Sequence, residues 1–222
     1  MKRLITAIFA SFFVGTFALA EISVGVKASL ANMDASGSHT TNSSSGDSGG
    51  DAVTAAGNAD FELASIFIEK ATGFELNGTT FSIGLDVIPF TAEVDKLGGG
   101  DGTDATVEVA DVMTLYIQPT FNAANDMSVF LKAGYTQGDV DITDISRQAT
   151  TAGTASTDGN TSKSLEGFMV GLGVQRNLDM GFLRLEATVT DFDEISHTNS
   201  NGKIVKADAD MSMISLSVGK TF

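Results

Sequence analysis

The sequence predicts an all-β fold, an eight-stranded antiparallel up-and-down transmembrane β-barrel. Three observations carry that prediction. Apolar residues alternate with polar or small ones along run after run. Long polar tracts and short turns join the runs alternately. The 222 residues include 24 Gly, 2 Pro and no Trp, and the polar positions are mostly Ser, Thr, Asn and Asp, which favour strands and turns over helices.

Residues 1–20, MKRLITAIFASFFVGTFALA, stand apart from this pattern. Lys2 and Arg3 precede an apolar stretch that ends in Ala18-Leu19-Ala20, the three parts of a secretory signal peptide. The competing reading is a membrane anchor, but the stretch is short and an alternating segment follows at once. Cleavage after Ala20 leaves a barrel domain of residues 21–222. The full chain has 13 basic and 28 acidic residues for a net charge of −15, and the leader holds two of the basic ones, so the mature charge is 11 − 28 = −17. Such a chain offers no basic patch to displace phosphate counterions, which excludes nucleic acid as a partner. No mature segment approaches the roughly 18 apolar residues of a membrane helix. With no cysteine, packing and hydrogen bonds alone must hold the fold.

Eight runs read as strands, each with one apolar and one polar or small face. In 22–32, Ile22, Val24, Val26, Ala28 and Leu30 oppose Ser23, Gly25, Lys27 and Ser29. The run 61–70 is apolar on both faces, and Ala64, Ile66 and Ile68 are assigned outward. In 81–90, Phe81, Ile83, Leu85 and Val87 oppose Ser82, Gly84 and Asp86. In 112–121, Leu115, Ile117 and Phe121 oppose Thr114, Tyr116, Gln118 and Thr120. In 128–136, Val129, Leu131, Ala133 and Tyr135 oppose Lys132, Gly134 and Thr136. In 168–175, Phe168, Val170, Leu172 and Val174 oppose Met169, Gly171, Gly173 and Gln175. In 183–190, Leu183, Leu185, Ala187 and Val189 oppose Arg184, Glu186, Thr188 and Thr190. The last run sets Ile214, Leu216, Val218 and Phe222 against Ser215, Ser217, Gly219 and Thr221.

The connections sort into two kinds. Residues 33–59, 93–111, 137–163 and 193–207 read as long polar, acidic loops, and 71–79, 122–127 and 177–181 as short turns. A membrane barrel sorts its connections this way, with both chain ends on the short-turn side. A soluble sandwich has no reason to. The polar face is also too rich in Gly, Ser and Thr for a solvated sandwich exterior, yet suits a narrow lumen. A ten-stranded barrel needs a hairpin hidden in 33–59 or 137–163, and the Ser/Thr/Gly content there argues against one. Lys27, Asp86, Lys132, Arg184 and Glu186 sit mid-strand on the lumen face. Unpaired charges there are costly, so they are expected to pair across the lumen as a charge network.

With leader, strands, sorted loops and terminal strand in place, residues 21–222 resemble the small outer-membrane β-barrels of Gram-negative bacteria, the OmpA-transmembrane-domain and OmpX-like group. Ile214, Leu216, Val218 and Phe222 match that group's C-terminal assembly signal, but Lys220 stands where an aromatic is usual. A lysine at the membrane edge can snorkel to the headgroups. The resemblance implies an outer-membrane address, contact with lipid and lipopolysaccharide, and recognition by the barrel-assembly machinery. It implies no single activity, since the group includes anchors, adhesins, narrow pores and a few lipid-modifying enzymes.

Other motifs carry little. Gly219-Lys220-Thr221 lacks the upstream glycine and following helix of a phosphate loop, because Ile214 occupies the glycine position. Gly99-Gly100-Asp101-Gly102-Thr103-Asp104 is one copy of a calcium repeat that works only in tandem. Asp139, Asp141, Asp144, Asp208 and Asp210 are expected to hold divalent cations loosely at most. His39 and His197 lie in Ser/Thr/Asn tracts with no visible scaffold for a nucleophile–base pair. Phe81, Phe90, Phe121, Tyr135, Phe168, Phe182 and Phe222 are candidates for interfacial aromatic girdles. The expected role is therefore non-enzymatic and structural or surface-interacting, in a monomer without cofactor. A narrow porin is the alternative, with a lipid-active enzyme behind it.

Overall fold

A computed structural model of the chain describes residues 21–40, 53–98, 103–123, 125–147, 161–198 and 204–222. Residues 1–20, read above as a signal peptide, and residues 99–102, the start of the calcium-like motif, lie outside the described residues. The strands are β1 (Ile22–Thr40), β2 (Val53–Leu76), β3 (Thr79–Ile88), β4 (Ala92–Gly98), β5 (Thr103–Asn122), β6 (Met127–Arg147), β7 (Thr161–Leu178), β8 (Gly181–Phe192), β9 (Ile195–Thr198) and β10 (Ile204–Thr221). Ten segments make eight staves. β3 and β4 are one stave interrupted at Pro89, which lacks the N–H a ladder needs. β8 and β9 are another, interrupted at Asp193 and Glu194. β1 pairs with β10 from Ser23↔Thr221 to Thr40↔Ile204 and closes the antiparallel ring.

Register fixes the barrel's shape. The cross-strand row that leaves β1 at Val24 passes through Ile68, Leu85, Leu115, Tyr135, Phe168, Asp191 and Asp210. It returns to β1 at Asp34, ten residues further along. At about 3.3 Å per residue and about 4.8 Å between strands, this stagger over eight strands tilts them about 41° and gives a radius of about 8 Å. Side chains alone fill so narrow an interior.

Alternation then divides the molecule into two levels. Near the chain ends, Val26, Ile66, Ile117, Leu172 and Leu216 are exposed on the outside, while Ser65, Lys132, Thr188, Ser215 and Ser217 are buried within. Five alternate outward residues, from Ile22 to Leu30, span about 20 Å along the barrel axis, close to the apolar band of a membrane barrel. Beyond Leu30 the polarity inverts. Asn32 and Asp34 point outward and Ala31 and Met33 are buried inside; on β10, Ser212 and Asp210 are outside and Met211 inside.

This upper level corrects the long-loop expectation. β1, β2, β5, β6, β7 and β10 all run well into segments read as loops. Their outward polar residues meet water there and their inward apolar residues form a core, so the ladder continues. Above Ile66, β2 pairs only with β1, while β4 pairs only with β5. Above Gly167, β7 pairs only with β6, and β9 only with β10. Among the described residues, the wall therefore opens at two seams into the sheets β2-β1-β10-β9 and β4-β5-β6-β7. They pack face to face over Ala31, Met33, Met211, Leu165 and Phe192 and over Ile88, Val109 and Val112, and Leu63 and Val140 touch both clusters.

The turn end is tight. β2 continues to Leu76, so the segment 71–79 is mostly strand, and Asn77-Gly78 reverses the chain with φ of 50° and 78°. Both values lie in the left-handed region that a type I′ hairpin turn requires.

Candidate functional site

The lumen holds the densest polar chemistry among the described residues. Alternation aims Lys27, Asp86, Lys132, Arg184 and Glu186 inward, and each of these side chains is less than a tenth exposed. The structure brings four of the five into one chain of contacts. Lys27 forms ion pairs with Asp86 and, at 3.4 Å, with Glu186, whose other oxygen pairs with Lys132. Lys132 also lies 4.2 Å from the Tyr116 ring centroid.

Arg184 has a different partner, Glu69. Its guanidinium donates to both Glu69 oxygens at 2.6 and 2.9 Å and to Gln175 Oε1 at 2.8 and 3.2 Å. Tyr116 Oη donates to the same carboxylate at 2.7 Å and links the two groups. Sequence reasoning missed Glu69 because β2 is apolar on both faces. The outward assignment of Ala64, Ile66 and Ile68 already placed Glu69 inside, so parity was the available signal. Three cations thus meet three carboxylates, and the buried network is electrically neutral.

Aromatic rings pack this network from below. Phe67, Phe130 and Phe182 surround Arg184 with centroids 4.8–5.2 Å from its guanidinium carbon. Phe182 is buried inside, which corrects its assignment to an interfacial girdle. It shares the inward parity of Arg184 and Glu186. Phe90, Phe121, Phe168 and Phe222 are exposed outside, and Tyr135 packs edge-on against Phe168 while donating to Glu166 at 2.6 Å. Each inward ring lies opposite a glycine: Phe67 by Gly25, Tyr116 by Gly84, Phe130 by Gly173, Phe182 by Gly219. A Cβ on any of these glycines would stand 2.3–2.4 Å from a ring atom, so glycine is what makes room. Gly219 therefore serves lumen packing. Lys220 points outward, its Nζ 5.3 Å from the Phe222 ring, and Ile214, Leu216 and Val218 share that outer face.

Above the charges, Ser29 bonds Ser215 at 2.8 Å and Thr114 bonds Thr136 at 2.9 Å. Ser65, Thr188 and Thr190 bury hydroxyls without a partner and line a cavity of about 20 Å³ beside Lys27 and Lys132. That is room for about one water. Over it lies the apolar core of the projecting sheets. The charged layer is thus enclosed by rings on one side and by aliphatic and methionine side chains on the other.

At the outer level, His39 and His197 lie on strands, not in unstructured tracts, and their backbones flank Val205 on β10. Asp34, Asp210 and Asp191 stand directly opposite one another across β1, β10 and β8. No group of three or more His, Asp or Glu among the described residues converges as a metal site requires. Lys206 donates to Glu194 at 2.7 Å, and that carboxylate raises the lysine's pKa above its ordinary value.

No protein-family model matches the chain, and no curated protein sequence does. Solved structures do. The outer membrane protein OprG from Pseudomonas aeruginosa is 14% identical over 90% of this chain and 95% of that one, with a TM-score of 0.52. Neisserial surface protein A is 14% identical over 92% and 100%, TM-score 0.47, and the outer membrane protease OmpT from Escherichia coli 9% identical over 91% and 97%, TM-score 0.48. The fold is what the OprG likeness supports: an antiparallel barrel of eight staves of the Gram-negative outer-membrane type, as the resemblance to the OmpA and OmpX-like group implied.

Proposed function

We propose that the protein is a non-enzymatic, monomeric anchor of the Gram-negative outer membrane that works through its projecting outer end. One observation carries this reading: polarity inverts above the belt, so the strands build a solid two-sheet projection over a filled, neutral lumen. Bilayer lipid and lipopolysaccharide cover the belt, and the terminal strand from Ile214 to Phe222 engages the assembly machinery during export. The projection offers polar, acidic surfaces and strand edges at its seams to partners outside the cell. Divalent cations loosely screen its carboxylates. Planar-bilayer recording of refolded protein tests the reading, and no conductance steps are expected from the natural chain. Steps that change in Lys132→Ala would establish the narrow-pore alternative instead. Turnover of short-chain esters or phospholipids would refute the non-enzymatic role.

A further inference from the structure

Thioether sulfur gathers at one place inside the outer end. Seven methionines follow residue 20, and four of them, Met33, Met169, Met211 and Met213, point inward above the charged layer. Register brings three of these together. Met33 on β1 stands directly opposite Met211 on β10, and Met213 lies two residues along the same face of β10. Directly opposed side chains have Cβ atoms about 5 Å apart and diagonal ones about 7–8 Å, within reach of long side chains. Met33 and Met211 belong to one buried cluster, and Met213 packs against it. Met169 enters from β7 and lines the same cavity as Met211 and Met213. Filling space does not require sulfur here, because Ile88, Val109, Val112, Leu165 and Phe192 fill the rest of this interior.

The chemistry of the side chains selects the ion. Thioethers are neutral, soft and polarizable, and soft sulfur favours Cu(I) among metal ions. Calcium and magnesium need oxygen ligands, and zinc is held by thiolate, imidazole or carboxylate. Met33 and Met211 are packed with Ala31, Leu165 and Phe192, which supply none of these. A single positive charge also costs less to bury than a double one, and Asp86 and Glu186 line the cavity that Met169, Met211 and Met213 share. Both seams of the wall open at this end, above Ile66 and above Gly167, and give an ion a path inward from the outer side. We propose that Met33, Met211 and Met213, with Met169 beside them, form a thioether site for monovalent copper.

Anaerobic titration of the refolded protein with Cu(I), in competition with a chromophoric Cu(I) chelator, tests the site, and X-ray absorption of the loaded protein reads its ligands. The natural chain should take up one equivalent, with a first shell of sulfur alone. Met33→Leu/Met211→Leu nearly conserves volume, so it should keep the gel shift of the folded barrel and lose the copper. Met127→Leu/Met180→Leu removes exposed thioethers elsewhere and should bind as the natural chain does. No uptake by the natural chain, a first shell containing nitrogen or oxygen, or uptake unchanged in Met33→Leu/Met211→Leu overturns the proposal. Loss of copper in Met127→Leu/Met180→Leu overturns it too. Should the first variant not fold, the absorption spectrum of the natural chain decides alone.

Discussion

Replacing Arg184 by methionine tests the lumen network at its most connected point. Arg184 is 2% exposed, and its guanidinium makes two bonds to Glu69 and two to Gln175 inside a ring of three phenylalanines. Methionine keeps much of the side-chain volume but removes every donor. Glu69, itself 4% exposed, then keeps only the Tyr116 hydroxyl. Removing one partner of a buried pair costs about 3–5 kcal/mol, most of it from the charge left behind. Adding Glu69→Gln removes that charge and preserves an acceptor for Tyr116, so the double variant should recover to within about 1–2 kcal/mol of the natural chain. Urea titration in detergent, followed by the gel shift between folded and heat-unfolded barrel, measures both. A single variant that loses less than about 1 kcal/mol, or a double variant no better than the single, would refute the reasoning.

Other substitutions probe packing and turns. Gly84→Ala drives a Cβ into Tyr116, the residue of its three nearest atoms, and should cost about 1–3 kcal/mol. Tyr116→Leu in the same chain should absorb part of that loss, and additive costs in the cycle would argue against contact. Gly78→Ala meets no neighbour within 4 Å but places a side chain at φ +78°, so it should cost about 1–2 kcal/mol by denaturant titration. Ser217→Ala removes a buried hydroxyl with no partner and should be neutral or stabilise by up to about 1 kcal/mol; a clear loss would reveal a bound water there.

Much of the belt was legible because lipid and lumen impose opposite chemistry on successive residues. Val26 and Lys27, or Leu185 and Glu186, cannot exchange faces. The projection was not legible by the same rule, since the apolar face changes side at Leu30 and Ala31, where a search for continued parity reads the strand as ending. Phe130 and Phe182 were hidden because an apolar residue on a barrel strand is read as facing outward. Gly173 and Gly219 held the signal, but a glycine shows which ring it accommodates only once strands are paired. Glu69 was lost among the apolar neighbours of β2, although parity from Ile68 placed it inside.

The pairing of β1 with β10 has a kinetic consequence. Ser23 meets Thr221 across 198 residues of chain, so the last ladder to form joins the most distant segments and carries the longest loop-closure cost. Until β10 is delivered, β1 and the leading edge of the growing sheet each present unsatisfied amides and carbonyls, which invite pairing with any other extended chain. Closure is therefore the step at which a half-built sheet stops being an aggregation template. A truncation within β10 should leave a chain that adheres to others even though most of its lumen contacts can form.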